Sequence, residues 1–208
     1  MVSNEYTLPV RKARICRIAG AIFLILAALT TTHVLVAGFA PGPAFDCNDG
    51  PCRWTVRPAR MLADDQRVVV MASPKVEGRF NAYVAKPIVR LALAGVTIVQ
   101  MGPFAMLLVG VGAALRRLGG RSGDPLGTAL PWLRFASLAA LTDAVAAPLG
   151  SSLMESLLSL GMPEGGHWIL AVNFNEIGIA LMLGIAAYAT VWALEAGLQA
   201  QRDLAEIV

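Results

Sequence analysis

Charge is scarce in this chain. Only 15% of its 208 residues are Asp, Glu, Lys or Arg, against about 25% in an ordinary soluble domain. The deficit falls in long uncharged runs separated by short charged segments, which excludes a soluble globular domain and is the pattern of a polytopic membrane protein. Histidine and cysteine are also rare, with two and three residues, and no His/Cys pair has the spacing of zinc ligands. A P-loop, a Rossmann glycine pattern, a Ser/His/Asp order and an HExxH helix are all missing. These absences point away from an enzyme. The net charge is +3, but the arginines flank apolar runs and form no basic stripe interleaved with aromatics, so the excess reads as membrane flanking and not as direct nucleic-acid binding.

What is present is hydrophobic sequence, 56% of the residues. Residues 1–10 are a polar tail without periodicity. Arg11, Lys12, Arg14 and Arg17 then precede the first apolar run, Ile18–Ala40. A basic region followed by an apolar core also describes a signal peptide. This run is about twice a signal core in length, and Pro41 follows the best small-residue site at Ala40, so a retained membrane helix is the expectation. The second run is Pro87–Leu115, with Pro103 expected to kink it. The third is Pro131–Leu153 and the fourth Trp168–Leu194. A run of roughly 20 apolar residues suffices to cross a bilayer. The fold class expected is therefore an all-α membrane protein, a four-transmembrane-helix bundle forming one domain over 1–208.

Two further segments stand apart. Residues 41–86 form a polar connection expected to fold as a small extracytoplasmic cap. Within it, Trp54-Thr55-Val56 and Val68-Val69-Val70-Met71 have strand composition, which suggests a short β hairpin or sheet. Cys47 and Cys52 flank an Asn-Asp-Gly-Pro turn and can approach closely enough for a disulfide; for so short a loop, closure entropy gives roughly 2 kcal/mol. Residues 195–208 continue helical spacing as a cytoplasmic C-terminal tail.

Four spans put both termini on one side. The 116–125 connector carries three arginines, the 154–167 connector has no Lys or Arg, and the N-terminal segment is basic. The short connectors thus give an N-in/C-in topology in a bacterial inner membrane. The 41–86 connection, with seven Lys and Arg, dissents, but long loops carry less weight and a disulfide belongs in an oxidising compartment.

Leu115-Arg116-Arg117-Leu118, Gly123-Asp124-Pro125-Leu126 before Leu133-Arg134, and the end of the chain, Ala193-Leu194-Glu195-Ala196-Gly197-Leu198 with Asp203-Leu204-Ala205-Glu206-Ile207-Val208, together resemble the YoaS-like proteins, a bacterial membrane family known only as a domain of unknown function. The resemblance covers about half of the chain. It implies a four-helix inner-membrane protein whose last helix runs into an acidic, aliphatic-ended tail, often encoded beside a small helix-turn-helix regulator, which makes such a regulator or another membrane protein the implied partner. It brings no catalytic residues, and the cysteine-bearing loop here is larger than the family pattern.

The ionisable groups inside the apolar runs are the candidate ligand-binding residues, because an intramembrane charge is costly unless it meets a partner or water. At about 1.5 Å of rise per residue, Glu176 lies about 12 Å inward from Trp168, Asp143 about 15 Å from Leu153 and His33 about 10 Å from Ala40. Asn173 and Asn175 flank the Glu176 level, and Arg90 sits above it on the second helix. A bundle could gather His33, Arg90, Asp143, Asn173, Asn175 and Glu176 into a polar pocket opening outward. The competing readings are simple interhelical packing and proton transfer. His33 and His167 could ligate a single haem, and Cys47/Cys52 could be a redox pair, although a relay needs a second pair and Cys16 lies at the other end of the first helix. Gly178 and Gly184, with Ala180 and Ala187, give the fourth helix a small-residue face, for packing within one bundle or for a homodimer seam. The leading expectation is a sensory or regulatory integral membrane protein without cofactor or metal. The alternatives are a haem or redox electron-transfer protein and a small transporter subunit.

Overall fold

The four apolar runs become four long helices, α1 (Val10–Phe39), α4 (Pro87–Leu118), α5 (Pro125–Ser159) and α6 (Phe174–Ile207), with β1 (Pro43–Asp46), β2 (Arg53–Val56), a 3-10 turn (Pro58–Met61), α2 (Asp64–Met71) and α3 (Pro74–Val84) between α1 and α4. The computed structural model describes residues 10–46, 53–120, 125–163, 165, 168, 170 and 174–207. Each long helix contains a segment long and apolar enough to cross a membrane: Arg11–Ala37, Pro87–Leu118, Pro125–Ser159 and Ile177–Gly197. This is what a multi-pass membrane protein requires. At 32 residues, α4 is about 48 Å long, more than the roughly 30 Å of a hydrocarbon core. Its sequence explains both ends: Pro87 suits a first helical position, where no N–H is needed, and Arg116 and Arg117 fall in the last turn, where cations oppose the helix dipole.

The chain divides into two compact units. The first is made of Met1–Thr30, Pro103–Val145 and Phe174–Val208, parts of all four long helices. Small residues bring the backbones together. A Cβ placed on Gly20 of α1 would stand 2.7 Å from the Gly112 carbonyl oxygen of α4, and one on Gly112 would stand 3.0 Å from the Gly20 carbonyl. A Cβ on Gly110 would meet the Ala136 Cβ of α5 at 2.9 Å, and one on Gly184 of α6 would meet Leu141 Cδ2 of α5 at 2.8 Å. Such approaches are how helices gain dispersion contact where burial from water supplies no drive between them. Gly178, by contrast, has open space where a Cβ would go, so of these two glycines of α6 only Gly184 packs closely against another helix among the described residues.

The second unit comprises Thr31–Gly102 and Ala146–Asn173. Its core joins Ala59 and Leu62, Val70 of α2, Phe80 and Val84 of α3, Val89 and Leu93 of α4, and Leu158 of α5. Phe80, Val70 and Leu158 have no exposed surface. The connection between α1 and α4 is therefore folded onto the ends of α4 and α5. Its hairpin is antiparallel, with Pro43 opposite Val56 and Asp46 opposite Arg53. Gly42 precedes it with φ 70°, and a Cβ there would collide with the Arg57 carbonyl; the Arg57 N–H donates to the Gly42 carbonyl at 2.9 Å. Only glycine meets both demands.

Trp54–Val56 lies in β2 as its composition suggests, but Val68–Met71 is the end of helix α2 and not a strand. The local start signal overrides β-propensity. Asp64 and Asp65 occupy the first turn of α2, where the dipole favours acids, and Arg67 reaches back with Nη2 3.0 Å from the Asp64 carboxylate and 3.1 Å from the Leu62 carbonyl. Of the four residues only Val70 is buried, so no alternating face exists for a sheet to use. The helix bounds also differ from the apolar runs. The third helix starts six residues earlier, at Pro125, and ends at Ser159, while the fourth starts at Phe174 and leaves Trp168 outside it. Cys47 and Cys52 lie outside the described residues; Cys16 is a half-buried free thiol.

Candidate functional site

The hydroxyl groups of the long helices set the standard against which Asp143, midway along α5, is judged. Thr30 donates to the Leu26 carbonyl at 2.9 Å, Thr97 to Leu93 at 2.8 Å, Ser137 to Arg134 at 2.9 Å, Thr142 to Ala139 at 2.8 Å and Thr190 to Ala186 at 2.8 Å. Ser151 and Ser152 both donate to the Pro148 carbonyl at 2.9 Å. Each hydroxyl thus satisfies itself on its own helix, one turn back, as backbone and side chains must where no water is present.

Asp143 does not. It is half-buried on α5, and its Oδ1 is buried with no hydrogen-bond partner among the described residues. The chemistry explains the contrast. A hydroxyl carries a proton to give to the carbonyl one turn back, whereas an ionised carboxylate is acceptor-only and is repelled by it. The face that carries Asp143 is defined by spacing. Ala136, seven residues earlier and hence on the same face of α5, is the residue that meets Gly110 of α4. Seven residues before Gly110, the corresponding face of α4 carries Pro103. Asp143 therefore continues the α4–α5 seam and can take a proton, a cation or a ligand donor there.

The other expected site residues fall differently. Glu176 is the third residue of α6, in its first turn and immediately before the apolar segment Ile177–Gly197. The expected depth of about 12 Å, counted from Trp168 at 1.5 Å per residue, is thereby corrected to about 3 Å from the helix start, because α6 begins at Phe174. For Asp143 the count from Ser159, the true end of α5, gives about 24 Å instead of about 15 Å. The helix bounds thus change both counts. An acid and Asn175 in a first turn are also what a helix N-terminus favours on its own. Asn175 is exposed and engaged in an interaction of its own. Asn173, His167 and the Glu176 side chain lie outside the described residues.

His33 and Arg90 belong to the second unit and are exposed, His33 six residues before the end of α1 and Arg90 in the first turn of α4. Among the described residues no group of three or more His, Cys, Asp or Glu could hold a metal ion.

The second unit also contains a feature with no signal in the sequence, a cavity of about 240 Å³ between α4 and α5, lined by Ala92, Val96, Leu153, Leu157, Leu160 and Trp168 with Ser156. Tyr83 of α3 stands beside it, its hydroxyl donating 3.0 Å to the Leu157 carbonyl, and the Lys86 ammonium lies 5.7 Å from the centroid of the Tyr83 ring. Burial pushes the Tyr83 phenol above the usual tyrosine range, which keeps the donor proton in place.

Comparison of the chain with protein-family models, with curated proteins and with solved structures finds no match.

Proposed function

We propose that this protein is a multi-pass integral membrane protein with a sensory or regulatory task, in which Asp143 is the ligand-responsive group. The observation that carries the reading is the buried Asp143 Oδ1 without a partner, on a segment apolar enough to lie in a membrane. Every quoted hydroxyl on these helices is satisfied locally, so a lone acceptor on the α4–α5 seam is a cost that a bound cation or cationic ligand removes. The arginine-bearing 116–125 connector favours a cytoplasmic location for that loop and for both termini in a bacterial inner membrane, with the α1–α4 connection as an extracytoplasmic cap. Binding at the seam would then be reported to the cytoplasmic loop and C-terminal tail, where a small helix-turn-helix regulator is the partner implied by the YoaS-like resemblance.

The test is ligand-dependent stability. Thermal unfolding of the purified protein is followed in a series of monovalent and divalent cations and small organic amines. At least one should stabilise the wild type and none should stabilise Asp143→Asn, which keeps the shape and supplies its own N–H donors. Identical responses of the two proteins across the series defeat the reading.

A further inference from the structure

We propose that the cavity between α4 and α5 holds one acyl chain of an anionic phospholipid of the surrounding membrane, with Lys86 and Arg90 holding its headgroup. The inference rests on the membrane reading but concerns a different site from Asp143.

Three observations carry it. The cavity, about 240 Å³, exceeds the roughly 150 Å³ at which an apolar cavity already stays dry and admits benzene. Among its described lining residues only Ser156 is polar. Five of its described lining residues, Ala92, Val96, Leu153, Ser156 and Leu157, belong to Pro87–Leu118 and Pro125–Ser159, two of the segments fit to cross a membrane, so the medium that reaches it is hydrocarbon and the occupant that fits is one chain of a lipid, not a whole molecule. Second, one lining residue is an exposed tryptophan, Trp168, at 88%; tryptophan is the residue enriched at headgroup level, where an apolar ring meets water. This places the cavity where a chain enters from its headgroup.

Third, the charge is complementary. Leu157 lines the cavity, its carbonyl takes the Tyr83 hydroxyl, and the Tyr83 ring carries the Lys86 ammonium. A cation is thus fixed within two contacts of the cavity wall. Arg90, in the first turn of α4, donates its N–H to the Lys86 carbonyl at 3.0 Å, which puts a second long cationic side chain at the same end of the helix. Both are exposed. Across 74–90 the cations are Lys75, Arg79, Lys86 and Arg90 and the only acid is Glu77. A phosphate diester suits this group, and a zwitterionic lipid, whose own ammonium competes, suits it less. Arg90 thereby acquires a role that does not require it to meet a carboxylate inside the bundle.

Trp168 is the reporter. A full-length variant with Trp54, Trp132 and Trp192 replaced by Phe is reconstituted in vesicles containing bromine-labelled acyl chains on either phosphatidylglycerol or phosphatidylcholine. Bromine quenches tryptophan on contact. Trp168 should be quenched by both lipids, with the apparent affinity for phosphatidylglycerol higher by about fivefold or more, the factor expected for a lysine or arginine at an anionic surface. Lys86→Gln with Arg90→Gln, two exposed positions that leave the core intact, should bring the two lipids level. Ala92→Phe, which fills the cavity, should reduce quenching by both. Equal quenching by the two lipids in the parent protein, or a preference that survives removal of both cations, overturns the proposal, and this arm decides the matter even where Ala92→Phe fails to fold. If the protein is recovered from cells in the soluble fraction after an alkaline wash, it is the membrane reading that has failed, an outcome separate from any lipid preference.

Discussion

The Tyr83 hydroxyl donates a 3.0 Å hydrogen bond to the Leu157 carbonyl, 74 residues along the chain. This single contact ties the helix before α4 to the last turn of α5, beside the core formed by Phe80, Val84 and Leu158. Tyr83→Phe removes the donor and leaves the ring. The expected loss is about 1 kcal/mol, the usual worth of one neutral hydrogen bond, read as a lower midpoint in thermal unfolding. The pH dependence follows from burial, which raises the folded phenol above its ordinary range. Its contribution is fully present below the unfolded value and is lost as pH rises through the folded one. The wild type should therefore lose part of its advantage over Tyr83→Phe at strongly alkaline pH, and a difference that is flat with pH would contradict this assignment.

Helix contacts in the first unit predict which glycines tolerate a methyl group. Gly110→Ala should destabilise, because its Cβ would stand 2.9 Å from the Ala136 Cβ and 3.1 Å from the Ala136 Cα, and overpacking of this kind costs about 1–3 kcal/mol. Gly178→Ala should be neutral or slightly stabilising, since nothing lies within 4 Å of the new atom and alanine is the better helix former. The midpoints of the two variants in the same detergent decide this; a Gly178→Ala loss equal to that of Gly110→Ala would instead indicate that α6 packs on a second copy.

Asp46 and Arg53 are opposite partners at the end of the hairpin, and Cys47 and Cys52 follow and precede them in sequence. A disulfide between those cysteines is expected in protein taken from an oxidising compartment. Replacing both with Ser should lower the midpoint modestly, in line with the roughly 2 kcal/mol of loop closure, without preventing membrane insertion. Mass spectrometry of alkylated, unreduced protein would contradict the expectation if it found both thiols free.

Orientation is tested through the same residues. After reduction, a membrane-impermeant maleimide applied to whole cells should modify Cys47 and Cys52 and spare Cys16, because the basic 116–125 connector is expected in the cytoplasm. Modification of Cys16 alone reverses the topology.

The four spans were legible because a period of uncharged residues long enough for a bilayer is a strong signal. Their ends were not. Leu153 and Pro131 mark where α5 ceases to be apolar, but backbone hydrogen bonding continues to Ser159 and back to Pro125, and hydropathy does not see it. Asp143 was legible as an acid in an apolar run. The start of α6 is not legible, because Trp168 and Leu170 are apolar without being helical and the apolar run overstates the helix. The cavity left no trace, since Ala92, Val96 and Leu157 are the residues any span would carry and only the juxtaposition of two helices makes them a wall. The same is true of Val89 and Leu93, which belong to the core of the second unit and are indistinguishable in sequence from lipid-facing positions.

The membership of that core has a consequence for how the protein is made. Phe80 and Val70 emerge early in synthesis, but Leu158, which closes over them with Val89 and Leu93, is added only after all of α4 and nearly all of α5. The segment between α1 and α4 must therefore wait, with its apolar side uncovered, until α4 and most of α5 have been made. A chain that stops before α5 lacks Leu158 and leaves Phe80 and Val70 without that cover, so the core is complete only when nearly the whole of α5 has been made.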